Sequence, residues 1–211
     1  MEGNQILETC AKRLNRNGFA VEIMPDTETA GKYIRQKIAE IAPETISFGD
    51  SETLFATGII DELRNVRDPR LIDGFDRSMS RPERWEIRRK GMLADLFMTG
   101  INAVTMDGHL HWLDMIGNRI APVVFGPRHV ILFAGKNKIV TNDEEARKRI
   151  RQIAAPKNAL KHTDFKTPCQ KTGVCIDCSS PDRICNTWMC MAKCFPKGRI
   201  TVVLIDEDLG L

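Results

Sequence analysis

The chain has 211 residues, of which 42% are hydrophobic and 28% charged, with a net charge of +3. That length fits one domain with room for a sizeable core, and that composition excludes a disordered chain. The small charge gives no ground for a nucleic-acid or membrane partner. No apolar run reaches the roughly 20 residues of a membrane-spanning helix, and the opening MEGNQILETCAKRLNRNG lacks the apolar stretch of a secretion signal. A cytoplasmic protein is expected.

Ile6, Cys10 and Leu14 recur at helical spacing and predict a helix over 5–16, with Cys10 as a small buried hydrophobe. Gly18 ends it and FAVEIM (19–24) reads as a strand. Asp26 can cap the next helix, whose inward residues are Ala30, Ile34, Ile38 and Ile41. TISFGD (45–50) is a short strand, and Ser51 opens one helix over SETLFATGIIDEL. LIDGF (71–75) is a further apolar run. Ser80 and Glu83 form a capping-box pair for a helix reaching about Phe97. Its Arg81, Arg84, Arg88 and Arg89 are interrupted by Glu83 and Glu86, and read as a solvated face.

INAVTM (101–106) reads as a strand, Asp107-Gly108 as a turn, and HVILFAG (129–135) as a strand buried on both faces. Thr141 and Glu144 predict a second capping box, opening a helix that turns Ala146, Ile150, Ile153 and Ala154 inward and ends at Pro156. RITVVLIDE (199–207) is a strong last strand. Strands alternate with helices, which predicts a single α/β domain over 1–211 with a largely parallel sheet. A cysteine-rich, loop-like insertion over about 167–196 precedes the last strand.

Ligands in open α/β sheets sit beyond the carboxyl ends of strands. Gly49-Asp50-Ser51 falls at such an end, as does the stretch holding Gly100 and Asn102. Asp107 and Asp114 are candidate general bases or acids, with Asn118 and Arg119 beside them to hold an anionic substrate. The plain alternative is a turn at Asp107 and a structural Asp114–Arg119 ion pair. Gly126 precedes the buried strand, and Lys136-Asn137-Lys138 follows it, offering two ammonium groups and an amide. His109 and His111 would share one face of a strand, but the sequence shows no third ligand near them, and they read as ordinary polar residues.

Six of the seven cysteines fall in the last quarter, spaced C-x5-C-x2-C-x6-C-x4-C-x3-C. Dense cysteine without a secretion signal points to metal or redox chemistry ahead of structural disulfides. Cys175-x2-Cys178, flanked by Cys169 and Cys185, forms the candidate ligand set for an iron–sulfur cluster or a zinc ion, with reduced thiols as the alternative. Cys190 and Cys194 have helix-like spacing and read as half-buried side chains or extra ligands.

The block TGINAVTMDGHLHWLDMIGNRIAPVVFGPRHVILFAGKNKIV (99–140), with AAPKNA, PCQKTGVCIDC and VVLIDEDLG after it, resembles the lactate utilization domain (LUD) family over nearly the whole chain. The resemblance implies a Rossmann-like, three-layer fold of the NagB/RpiA/CoA-transferase kind. It also implies a link to bacterial oxidation of L-lactate to pyruvate beside iron–sulfur partner subunits. From the loop residues themselves the expected ligand is a small anionic metabolite or a cofactor fragment, with a homo-oligomer among the assemblies left open. The positions the resemblance carries over are Gly100, Asn102, Asp107, Asp114, Asn118, Arg119, Gly126, Lys136, Asn137 and Lys138. Met106, Trp112 and Met115 depart from the family pattern. No dinucleotide fingerprint or phosphate-binding P-loop is present, so a stand-alone dehydrogenase is not expected. The competing functions are an oxidoreductase component, an isomerase or CoA-transferase-like enzyme, and a non-catalytic assembly subunit.

Overall fold

The apolar run HVILFAG has no polar face, and the structure buries it on both sides. A computed structural model describes residues 3–211. In chain order the strands are β1 (Ala20–Met24), β2 (Ile46–Phe48), β3 (Leu71–Ile72), β4 (Leu96–Gly100), β5 (Ala103–Thr105), β6 (Leu110–Asp114), β7 (His129–Gly135), β8 (Ile139–Val140), β9 (Thr187–Met191) and β10 (Ile200–Ile205). The α-helices are α1 (Gly3–Arg16), α2 (Thr27–Ile41), α3 (Glu52–Phe55), α4 (Ile59–Asn65), α5 (Arg81–Gly91), α6 (Ile120–Val124), α7 (Asp143–Arg149), α8 (Ala155–Lys161) and α9 (Pro168–Thr172).

Six strands form an all-parallel sheet in the order β1-β10-β7-β4-β2-β3. Alternate residues of β10 feed opposite cores. Val202 and Leu204 pack with α1, Trp112 and Leu110 on one face, while Val203 and Ile205 pack with α2, α3 and α4 on the other. The protein is therefore α/β, Rossmann-like and three-layered, as the sequence predicts. Among the described residues, no helix is long and apolar enough to cross a membrane.

A second sheet, in the order β8-β5-β6-β9, covers the α1 face. Its β6 pairs antiparallel with both β5 and β9. The alternation in HLHWLDM sends Leu110 and Trp112 into the core and His111 and Leu113 to the outer face, where α7 packs.

Four local readings change. The helix opened by Ser51 breaks at Gly58, which takes φ +75° and starts α4. The helix capped by Ser80 and Glu83 stops at Gly91, so Phe97 lies in β4; a short apolar run cannot be told from buried helix by periodicity. Asp95 marks the boundary by accepting the backbone N–H groups of Glu44 and Thr45. The cap of α7 is Asn142, which accepts from the Glu145 N–H at 2.9 Å, and not Thr141. Pro156 does not end that helix. A π turn over Ile150–Ala154 widens the ladder, and Pro156 then sits in the first turn of α8, where no N–H is required. Ile153 is consequently exposed while Ala146, Ile150 and Ala154 stay buried. The cysteine segment also has regular structure, α9 and β9, and Cys190 lies in a strand.

The carboxyl ends of β2 and β4 meet without room for side chains. A Cβ on Gly100 would stand 2.2 Å from Ser51 Oγ, which caps α3. A Cβ on Gly49 would stand 2.6 Å from Thr99 Oγ1. Gly100→Ala is expected to cost about 1–3 kcal/mol by overpacking this crest, read as a lowered urea midpoint with unchanged slope.

Candidate functional site

A cleft of about 1210 Å³ opens at the carboxyl ends of β2, β4 and β7. Its floor is the glycine crest and the loop after β6. The Trp112 indole N–H donates to Gly100 O at 2.8 Å, so this family departure is a buried strut beneath the floor. Asn102 Oδ1 accepts from Leu113 N–H, and Asn102 O accepts from Arg149 at 2.7 Å. Asp114 accepts the N–H groups of Met115 and Arg119 and faces the Arg119 Nε at 3.4 Å. Arg119 also donates to Leu113 O. Asp114 and Arg119 thus fold their own loop against the cleft, with Asn118 on its rim.

Lys138 lies at the back of the cleft and is 4% exposed. Its ammonium donates to Thr53 Oγ1 at 2.8 Å, and no carboxylate pairs with it among the described residues. Burial, then the charges of Arg149 and Arg119, push its pKa down from 10.5 to about 7. The neighbouring candidates face elsewhere. The Lys136 ammonium bonds Asp206 at 3.1 Å, and Asn137 Oδ1 accepts from Leu209 N–H. Asp107 sits in a turn on the α1 side, its carbonyl accepting from Asn17. Gly126 precedes the amino end of β7, at the end of the strands opposite the cleft, with φ +133°.

The cleft carries cations whose sequence pattern predicts a solvated face. Arg84 and Arg88 of α5 point into it. Arg88 lies 4.4 Å over the Phe75 ring and donates to Gly74 O; burial and the Arg84 charge lower its pKa. The Arg84 Nε is buried with no hydrogen-bond partner among the described residues. Helical phase holds the missed signal: Arg81, Arg84 and Arg88 share one face, away from Glu83 and Glu86. Two other cleft cations are neutralised, Arg64 by Asp73 at 2.7 Å and Lys161 by Glu52.

Cys169, Cys175, Cys178 and Cys185 all line one wall of the cleft, half-buried and joined by no disulfide. Arg183 holds this loop by donating to the carbonyls of Cys178 and Cys185 and to the Asp177 carboxylate. Burial raises the Cys185 thiol pKa, opposed by Arg183 and reinforced by Cys175 and Cys178. Four thiols on one wall match, in donor chemistry, a soft ion or an iron–sulfur cluster. Cys194 stands apart, buried in the α1 core with its thiol toward Pro196 O. Cys10 is buried in the same core, its thiol pushed up to about 12 by burial.

The LUD domain family model matches residues 7–205. The chain belongs to the LUD domain family. A crystal structure of a DUF162 family protein from Deinococcus radiodurans is similar to it, with 15% identity, a TM-score of 0.50, and coverage of 97% of this chain and 98% of that one. That likeness concerns the fold. No curated protein matches the chain.

In this LUD domain, Lys138→Met removes a buried charge at similar volume. The variant is expected to raise Tm near neutral pH by at least about 2 °C. The folded pKa of about 7 lies below the unfolded 10.5, so between them the unfolded chain binds more protons and wild-type stability rises with pH. The gap between variant and wild type is therefore widest below pH about 7 and closes toward pH 10.5, which thermal melts across that range check.

Proposed function

We propose that this LUD domain is the acid-binding component of a lactate-oxidising system. Its cleft takes a small 2-hydroxy or 2-keto acid, and its cysteine wall takes an iron–sulfur cluster, with zinc as the structural alternative. The observation that carries this reading is Lys138, a buried ammonium without a carboxylate at the carboxyl ends of the parallel strands. A ligand carboxylate beside Nζ would supply the missing counter-charge and raise the pKa of the lysine. Arg84 and Arg88 add positive charge from the facing helix, and the unpartnered Arg84 Nε is a donor free for the same anion.

Oxidation of a 2-hydroxy acid to the keto acid releases two electrons and two protons. An iron–sulfur cluster bound by Cys169, Cys175, Cys178 and Cys185 would supply a one-electron carrier beside the substrate, whereas zinc carries no electrons. The residues of this chain bind and orient the acid, with Lys138 held as the ammonium against its carboxylate, and the two protons leave through the cleft to solvent. The final acceptor is assigned to an iron–sulfur partner subunit. A second reading, an isomerase or CoA-transferase-like enzyme, draws on the same lysine, whose pKa suits a proton carrier, and turnover of a phosphosugar or a CoA ester would mark it.

Calorimetric titration of the chain, purified without oxygen, with L-lactate and with pyruvate tests the reading. At least one acid is expected to bind, with affinity falling as pH rises above about 7, and Lys138→Met is expected to weaken it by 10-fold or more, roughly the worth of one charge-assisted hydrogen bond. Failure of both acids to bind, or an unchanged affinity in the variant, would sink the acid-binding role. For the wall, iron with acid-labile sulfide is expected in the wild type and reduced content in Cys175→Ser. Zinc alone would leave the cysteines a structural clip, and no metal at all would remove the cofactor from the proposal.

A further inference from the structure

On the outer face of the second sheet, away from the cleft, four potential metal ligands converge. His109 and His111 lie two residues apart and project toward α7, as period two requires. Antiparallel register places Cys190 of β9 directly opposite His111 of β6. The cap at Asn142 starts α7 so that Asp143, its first residue, reaches both rings. The His111 Nε2 and His109 Nδ1 lie 2.8 and 2.9 Å from the same Asp143 Oδ1, and the Cys190 Sγ lies 3.6 Å from His111 Nε2. All four donor atoms fall within 4.8 Å of one another.

We propose that His109, His111, Asp143 and Cys190 form a tetrahedral zinc site that fastens the cysteine-rich segment to α7 and β6. Bond lengths of about 2.0–2.1 Å to nitrogen and 2.3 Å to sulfur place tetrahedral donors about 3.3–3.6 Å apart. The Cys190–His111 separation already has that value, and the carboxylate has to back away from the rings by about half an ångström, a small motion for an exposed side chain at a helix start. Two imidazoles, one carboxylate and one thiolate are the mixed donors zinc accepts, and the set is too soft for magnesium or calcium. Binding exchanges two N–H···O hydrogen bonds for coordinate bonds, the protons of the two neutral imidazoles shifting to their other ring nitrogens, and releases the Cys190 thiol proton. His111 is buried, so one ligand is held in place by packing, while Asp143 and Cys190 are exposed and leave an entry path. Arg147, one turn along α7, acts by its charge on His111, and its guanidinium lies over the Trp188 ring at 5.4 Å. Four protein ligands leave no open position, which makes the site structural.

The full-length chain, stripped with chelator and kept reduced, is titrated with zinc by calorimetry and with cobalt by absorption. The proposal expects a sulfur-to-cobalt charge-transfer band with the strong visible bands of a tetrahedral ion, displaced by one equivalent of zinc. The variants are compared in a Cys175→Ser background, which disables the cysteine wall of the cleft. There the signal is expected to persist, and to be lost, with affinity down at least about 100-fold, when Cys190→Ser or His109→Ala is added. Both altered side chains are at least partly exposed, so matching melting temperatures of the metal-free proteins check folding. Zinc is also expected to raise Tm in that background unless Cys190→Ser or His109→Ala is added. If either addition leaves cobalt and zinc binding unchanged, or if Cys175→Ser alone abolishes the signal, the site is overturned. Because these residues do not line the cleft, acid binding at Lys138 is expected to be untouched in both variants.

Discussion

The architecture depends on one strand placement. β10 carries residues 200–205 and lies between β1 and β7, near the other end of the chain and its middle respectively. It is apolar on both faces and supplies side chains to both cores, so neither helical layer is anchored without it. Its exit then sets the back of the cleft. Glu207 O accepts from Lys136 N–H, Asn137 Oδ1 accepts from Leu209 N–H, and Arg149 donates to Leu211 O. The turn that carries Lys138 is thus clasped by the segment following β10, which lets an ammonium stay in a buried position that it would otherwise leave for water.

That clasp changes the meaning of the lysine pair. Lys136 and Lys138 are equivalent by composition, yet one meets Asp206 at the surface and the other meets only a threonine hydroxyl in the interior. The three-residue 3₁₀ turn between β7 and β8 sends them to opposite sides. Asp114 and Arg119 likewise spend much of their bonding capacity on their own loop. The chemical freedom of the cleft rests with groups that have something left to bind, among them Lys138, Arg84 and the thiols of the wall.

The long apolar runs were legible in the sequence, and with them the strand alternation, the caps at Asp26 and Ser80, and the buried role of Cys10. What escaped were features set by tertiary partners. Antiparallel β5–β6 pairing and a separate sheet could not be read from INAVTM and HLHWLDM, because alternation marks a strand without naming its neighbour. Leu96 and Phe97 read as the end of the preceding helix because so short an apolar run has no period of its own. Cys190 and Cys194 have helix-like spacing, and nothing local reveals that Cys190 pairs with His111, 79 residues away. The family block placed Gly100, Asn118 and Lys138 on the cleft, but Arg84 and Arg88 lie outside it and needed the helical phase of α5 to be found.

The π turn at 150–154 joins two jobs in one continuous helix. Before it, α7 lays Ala146 against the outer sheet; after it, α8 turns Asn158 toward the cleft and Ala159 toward the interior. One residue in an α-helix corresponds to about 100° of rotation, so the extra residue housed in the wide turn acts as a phase shifter between the two packing surfaces. A single-residue deletion there would leave the helix length almost unaltered yet turn everything beyond it by about a quarter of a revolution. The cleft wall and the sheet cover are in this sense geared to each other, and the chain is far less tolerant of changes in spacing at 150–154 than of changes in residue type.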